Sequence, residues 1–334
     1  MKDLHDWFRQ NQRRFPWREV RTPYTVWISE VMLQQTRASV VVPYFLRWME
    51  QFPDIWTLAK APLEEVIKAW EGLGYYSRAR NLHKGAQQIA VHFGGKFPDS
   101  KEALTEISGL GPYTTAAILS FGFQKKAAAV DGNVARVMSR YFAIEENICR
   151  SKVKKLIETK TEALLDEKEP WITVEALIEL GATVCTPRPR CHDCPLQANC
   201  QGLKKGIAES LPIKSEEKKV TLLTRFVAVV ESQGQLLVRK GEAGKVMADL
   251  YEFPYFEGES KSSGNWRKWL GFDVEYIQPL EEVTHTFTRY KARLFPVLLK
   301  AAAPVSVAGA AWVSRTKLKE LPFSAGHRKI ARQL

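Results

Sequence analysis

No apolar run in the 334 residues approaches the roughly 20 that a membrane-spanning helix needs, so a bilayer-embedded protein is not expected. The opening stretch, MKDLHDWFRQNQRRF, is polar and charged and lacks the apolar core of a secretory signal. A cytoplasmic location follows, where thiols stay reduced. Acidic residues are in deficit: 37 Asp and Glu stand against 49 Lys and Arg, giving a net charge of +12. An excess of that size favours a polyanionic partner, most simply the phosphate backbone of nucleic acid. Cysteine is scarce as well. Of five, Cys149 is alone, and Cys185, Cys191, Cys194 and Cys200 fall within CTPRPRCHDCPLQANC. Thiols this close in a reducing compartment read as metal ligands rather than disulfides.

Strand-like alternation is nearly absent before residue 220. Up to that point apolar residues recur at helical spacing, with Pro and Gly as punctuation, as in PYTVWISEVMLQQTRASVVVPYFLRWMEQF and ITVEALIELGATVC. The stretch LKKGIAESLPIKSEEKKV then carries little periodicity and reads as a linker. Beyond it, LLTRFVAVV and QLLVRK flank a turn-like ESQG and predict a hairpin; YEFPYF, ARLFPVLLK and AAWVS continue the β character, with one helix near SSGNWRKWLG. The expected division is an all-α domain over 1–202, a linker over 203–220 and an α+β domain over 221–334. No internal repeat is evident.

The cysteines are separated by five, two and five residues, a compact loop able to hold one zinc ion or an iron–sulfur cube. Four thiolates close a tetrahedral site, so the role is structural, with Arg188, Arg190 and Lys204 nearby for phosphates. Residues 107–117, ISGLGPYTTAA, join two helical stretches through Gly109-Leu110-Gly111. Glycines there allow close approach to a ligand, and the next helix begins with free amides that suit a phosphate. An ordinary helix–helix turn would look similar.

Two carboxylates stand out. Glu30 sits among Trp27, Ile28, Val31, Met32 and Leu33, an apolar setting that raises a carboxyl pKa; the plainer reading is an exposed helix face. Asp131 ends the AAAV run and precedes a helix, whose positive end would keep it charged; the plainer reading is a simple N-cap.

The hairpin, an aspartate about twenty residues on and a four-cysteine loop together resemble the helix-hairpin-helix glycosylases of base-excision repair. SEVMLQQT at 29–36, GLGYYSRARNLH at 72–83 and VDGNVARV at 130–137 are similar, within that superfamily, to the MutY-type adenine DNA glycosylases. The resemblance covers essentially the whole chain. It implies an enzyme that removes adenine paired with 8-oxoguanine or guanine in double-stranded DNA, acting as a monomer at the nucleoid and carrying a [4Fe-4S] cluster on the four cysteines, with zinc as the alternative. Glu30 would be the acid that protonates the imidazole ring of adenine, and Asp131 the carboxylate that stabilises, or transiently bonds, the sugar cation. Two such carboxyl groups are what glycosidic cleavage asks for. Tyr113 and Asn133 would support the sugar; Trp17, Arg18, Leu33 and Glu175 would line the adenine pocket. Gln35 and Tyr75 would enter the duplex, and Thr36 would bind DNA, as would Gly109 and Gly111 at the backbone.

Bifunctional relatives place a lysine at the position of Tyr113. Tyrosine cannot form a Schiff base, which implies a monofunctional enzyme. The C-terminal domain is similar to Nudix hydrolases, but the REUxEE run of metal-binding glutamates is missing, so a reader of 8-oxoguanine is expected rather than a pyrophosphatase. The family's Phe-Ser-His loop is Phe287-Thr288-Arg289 here, with His285 two positions before Phe287 as a partial substitute for the lost imidazole. The first cysteine gap is one residue shorter than usual. Two rivals remain: a bifunctional pyrimidine-damage enzyme of the endonuclease III kind, and a non-catalytic damage-sensing module that kept the fold.

Overall fold

The computed structural model describes residues 1–215, 220–242, 244, 247–258, 266–287 and 289–334. Contacts divide the chain into two units, Met1–Lys60 with Lys84–Glu217, and Ala61–His83 with Lys218–Leu334. The division differs from that read in the sequence in two places: Ala61–His83 groups with the C-terminal unit, and the helical unit runs on into the stretch read as a linker. Within the C-terminal unit the Glu71 carboxylate takes the Arg328 guanidinium at 2.5 Å, and Arg80 donates to the Ala248 carbonyl at 3.0 Å. Such long-range polar contacts leave no mark in local periodicity.

The first unit is helical. Pro23–Leu33 starts at a capping box in which the Thr22 and Thr25 side chains each bond the other's backbone amide, and Pro23 occupies the first turn, where its missing N–H costs nothing. Every residue from Tyr24 to Met32 is buried, so Glu30 sits on no exposed helix face. Gly132–Tyr141 and Pro170–Thr183 share an apolar core with Lys2–Asn11 through Leu4, Phe8, Val134, Met138, Ile172 and Leu180. They cross closely at Gly181, where an added Cβ would lie 2.6 Å from the Cβ of Asn133.

Part of the stretch read as a linker belongs to this unit. Ala208 and Leu211 are buried, Arg140 donates to the Leu211 carbonyl at 2.9 Å, and the Ile148 amide donates to Ile213 at 3.0 Å. Among the described residues no helix is long and apolar enough to cross a membrane.

The second unit contains a mixed sheet: β1 (Thr221–Ser232), β2 (Gln235–Lys240), β3 (Tyr251–Glu252), β4 (Tyr255–Glu257), β5 (Glu275–Pro279), β6 (Val283–Phe287), β7 (Tyr290–Lys300) and β8 (Ala310–Ser314). β1 and β7 run parallel at its centre, and the other pairings are antiparallel. The predicted hairpin is present: Ser232 pairs Gln235 across Gln233 and Gly234, both at positive φ, as a tight turn of this hand requires. Alternating residues of β1 feed two cores, Val227 and Val229 on one face, Phe226, Ala228 and Val230 on the other. Leu318 and Ile330 of helices Arg315–Glu320 and Ala325–Ala331 cover the first face; Trp266 of the short helix Trp266–Leu270 covers the second. β5, β6 and the two C-terminal helices escaped the sequence reading, because exposed β5 and the half-exposed β6 lack a run of apolar residues.

Gly181→Ala is expected to force the two site-bearing helices apart, at a cost of about 1–3 kcal/mol for overpacking. Thermal denaturation would show it as a Tm lowered by several degrees, and an unchanged Tm would mean that the contact relaxes freely.

Candidate active site

A cleft of about 1000 Å³ opens in the helical unit and gathers residues from four separated segments. Its lining includes Trp17, Arg18, Glu30, Leu33, Gln35, Thr36, Tyr113, Asp131, Asn133 and Glu175, all expected at a site from the sequence.

Glu30 is 8% exposed. The Tyr113 hydroxyl donates to its Oε2 at 2.6 Å. Burial pushes its pKa from 4.5 up to about 7; the bond from Tyr113 and the charge of Arg18 act downward, while Asp131 and Glu175 act upward. Tyr113 is itself held well above its ordinary value, by burial and by the carboxyl groups around it, so it stays a phenol able to donate.

Asp131 is the N-cap of Gly132–Tyr141. Oδ1 accepts from the amides of Asn133 at 2.8 Å and Val134 at 2.7 Å, and Oδ2 from the Asn133 side chain at 2.8 Å. The simple capping role and the charge-holding role are thus one geometry. Burial raises the pKa of Asp131, and those three donors together with Arg136 oppose the rise by favouring the charged form. Asn133 is in turn fixed by Arg136, which bonds its Oδ1 at 2.8 Å and the Gly181 and Cys185 carbonyls at 2.7 and 2.8 Å.

Sequence reasoning missed the ionic wall of the cleft. Arg21 forms a fork-like pair with Glu175, 2.9 Å on each arm, and lies over the Trp171 ring at 4.3 Å. Fully buried Glu179 accepts from Arg13 at 2.5 Å and from Arg18 at 2.9 Å. Arg18 and Glu175, expected to be open to a purine, are therefore already paired. A readable signal was available: Glu175 and Glu179 stand four apart in an otherwise apolar helix, facing the basic stretch 13–21. Trp17 stacks on Phe15 at 4.7 Å.

The hairpin joins Lys101–Thr105 to Pro112–Ala117, with Gly109 at φ 84° and Leu110 buried as a plug. Gly111 caps the second helix with open space about its Cα. Pro112 removes one of the amides expected there.

Gln35 is exposed at φ 58° in the helical unit, and Tyr75 is 44% exposed at φ 48° in the C-terminal unit. Non-glycine residues rarely hold this backbone, and such residues cluster at functional sites. In the C-terminal unit Phe287 is half-buried on β6 and Arg289 is exposed beside the Tyr290 ring. Thr288 lies outside the described residues. His285 faces inward with Phe287, its pKa held near 4 by burial and by Arg225 and Lys329.

Cys185, Cys191, Cys194 and Cys200 line a single small cavity, with Arg140, itself buried, beside them. Arg140 donates to the Cys185 sulfur at 3.3 Å and to the carbonyls of Thr186 and Pro187 at 2.6 and 3.1 Å. Burial raises the Cys191 and Cys194 thiols, and the other cysteines add to the rise. Four thiols lining one cavity are the donor type that a cation or an iron–sulfur cluster takes, deprotonating as it binds. Among the described residues, no three His, Cys, Asp or Glu side chains are arranged about a single metal ion.

Residues 28–163 match the HhH-GPD superfamily of base excision DNA repair proteins, and residues 225–333 match the NUDIX domain. The adenine DNA glycosylase of Mus musculus is 32% identical over 99% of this chain and 76% of its own length. That of Buchnera aphidicola (Baizongia pistaciae strain) is 31% identical over 87% of this chain and 83% of its own. Among solved structures, a thermostable thymine-DNA glycosylase aligns with TM-score 0.56 and 29% identity, and an endonuclease III in non-covalent complex with DNA with TM-score 0.51 and 25% identity; each alignment covers 61% of this chain and 94% of the other.

Because the folded-state pKa of Glu30 exceeds the unfolded value, the stability it contributes is present below pH 4.5 and lost as pH rises through about 7. Glu30→Gln should therefore raise the Tm at pH 8, with the gain vanishing near pH 4. The ceiling is about 1.4 kcal/mol per pKa unit. An equal Tm for both proteins at pH 8 would mean that Glu30 ionises freely.

Proposed function

The chain belongs to the adenine DNA glycosylase family, and on that footing we propose that it excises adenine opposite 8-oxoguanine or guanine through Glu30 and Asp131. The observation that carries this reading is a buried carboxyl group, its pKa about 7, sharing one cleft with a second carboxyl group held by three hydrogen bonds. One can give a proton near neutrality while the other offers charge.

Glu30 donates its proton to the imidazole-ring nitrogen of adenine. The bond from the sugar to the base breaks, its electron pair leaves with the neutral base, and the sugar becomes an oxocarbenium-like cation beside Asp131. Water adds to that carbon and gives up a proton, which returns to Glu30. Tyr113 keeps Glu30 oriented, Asn133 keeps Asp131 oriented, and Trp17, Arg18, Leu33 and Glu175 hold the base. With a phenol at position 113 no Schiff base forms, so the strand stays intact.

Gln35 and Tyr75 fill the space left in the duplex, Thr36 contacts the DNA, Gly109 and Gly111 approach its phosphates, and Phe287, Thr288 and Arg289 read the opposing base. The four cysteines hold a [4Fe-4S] cluster that ties the loop together when bound. The protein works as a monomer in the cytoplasm, at the nucleoid.

Single-turnover excision on duplexes with adenine opposite 8-oxoguanine, guanine, cytosine or thymine tests the reading. Glu30→Gln and Asp131→Asn should each slow it by roughly 10²–10⁴-fold. The wild-type rate should decline as pH rises through about 7, where Glu30 loses its proton. Full activity in either variant would end this mechanism, and a borohydride-trapped adduct would restore the bifunctional alternative. The purified protein should be brown with a broad visible absorbance; a colourless protein containing zinc would replace the cluster with a single ion.

A further inference from the structure

Tyr75 stands in a short turn whose neighbouring side chains are tied down. Leu73 and Tyr76 are buried, while Tyr75 is 44% exposed. Gly72, Gly74 and Tyr75 all hold positive φ, at 104°, 71° and 48°. Glycine bears such a backbone freely. Tyrosine does not, and it would relax to an ordinary conformation unless its surroundings forbade it.

The restraint comes from Arg78, in the first turn of the helix Ser77–Phe93. Its amide donates to the Tyr75 carbonyl at 2.9 Å. Its guanidinium Nη2 donates to the carbonyls of Leu73 and Gly74, each at 3.1 Å. One residue therefore holds both peptide planes that flank the Tyr75 Cα, the one before through its side chain and the one after through its main chain. The indole N–H of fully buried Trp70 also donates to the Gly74 carbonyl, at 3.1 Å.

The same guanidinium lies over the rings of Trp70 and Tyr75, 5.1 and 5.7 Å from their centres. Arg78 is itself buried, and burial draws its pKa from 12.5 down to about 10, so it is charged at neutral pH. A buried cation at the positive end of a helix is unfavourably placed. Two carbonyl oxygens and two ring faces offset this, all supplied by residues 70–75.

We propose that Arg78 is a positioning residue for Tyr75, setting the ring in the free protein in the posture with which it enters duplex DNA. The inference rests on the reading above that Tyr75 fills the space left in the duplex. A loose turn would have to be ordered on binding, at a cost in affinity that a preset turn avoids. Arg78 acts through Tyr75, so its loss should show in the binding and opening of the duplex.

Two measurements on the full chain test this, with a duplex whose target adenosine carries a 2′-fluorine and so resists cleavage. One is the Kd; the other is the fluorescence of a 2-aminopurine beside the mispair, which brightens when its stack opens. Tyr75→Ala should raise the Kd and weaken the fluorescence signal. Arg78→Gln should raise the Kd by roughly tenfold, the usual worth of one strained backbone residue, and weaken the signal likewise. In the Tyr75→Ala background Arg78→Gln should do nothing further, because residues that act through one another are not additive. Additive losses in the double variant, or a wild-type signal from Arg78→Gln beside a weakened one from Tyr75→Ala, would overturn the inference alone. A Tyr75→Ala protein indistinguishable from wild type would remove the wedge reading and the inference with it. Should Arg78→Gln fail to fold, Arg78→Lys, which keeps the charge without the planar face, carries the same double-variant test with a smaller loss.

Discussion

Glu30 loses its water to the helix that carries it. Pro23–Leu33 is buried along its length from Tyr24 to Met32, and a carboxyl group on such a helix must be neutralised or shifted in pKa. The protein answers with one hydrogen bond, from Tyr113, and with a cleft rather than a buried cation. A close arginine would have satisfied the charge and pulled the pKa down, leaving no proton to give. Three guanidinium groups lining the cleft are instead bound to other carboxylates, Arg21 to Glu175, Arg13 and Arg18 to Glu179. The ionic wall therefore commits these cations to other carboxylates, so that Arg18 opposes the rise in the Glu30 pKa without cancelling it, and this division of charge sets the rest of the site.

Asp131 meets the opposite demand. It receives three donors from the first turn of its own helix, so the residue that begins the helix lies in the cleft with bonds that favour its charged form against the pull of burial. That helix packs on Pro170–Thr183 through Gly181, and its arginines carry the arrangement outward. Arg136 bonds Asn133 and the Cys185 carbonyl, and Arg140 bonds the sulfur of Cys185 and the carbonyls after it. A displacement of the cysteine loop would reach Asp131 through two side chains and one turn of helix. The structural role read for the four cysteines thus has a physical route to the chemistry.

What was legible in the sequence was what lies within one segment. The apolar flanks of Glu30, the cap position of Asp131, the glycines of the hairpin, the cysteine spacing and the turn at Gln233-Gly234 each depend on neighbours a few residues away. The ionic wall was not legible, because Arg21 and Glu175 are 154 positions apart. The packing of residues 207–215 on the helical unit was missed because so few apolar side chains carry it. The grouping of Ala61–His83 depends on Glu71 meeting Arg328, which no periodicity announces.

The ionic wall also bears on how one base is chosen. Arg18 and Glu175 already have partners, so a purine gains only the difference between its own hydrogen bonds and those it displaces. Breaking a buried pair without replacing it leaves an uncompensated charge, which costs several times the value of an ordinary hydrogen bond. A base with donors and acceptors in the right places can exchange partners evenly, and one lacking them strands a guanidinium or a carboxylate. Sites built from polar groups reject by this penalty far more strongly than apolar pockets reject by shape. In the proposed reaction, pre-paired charges lining the cleft would be a means of discrimination that acts before Glu30 transfers its proton.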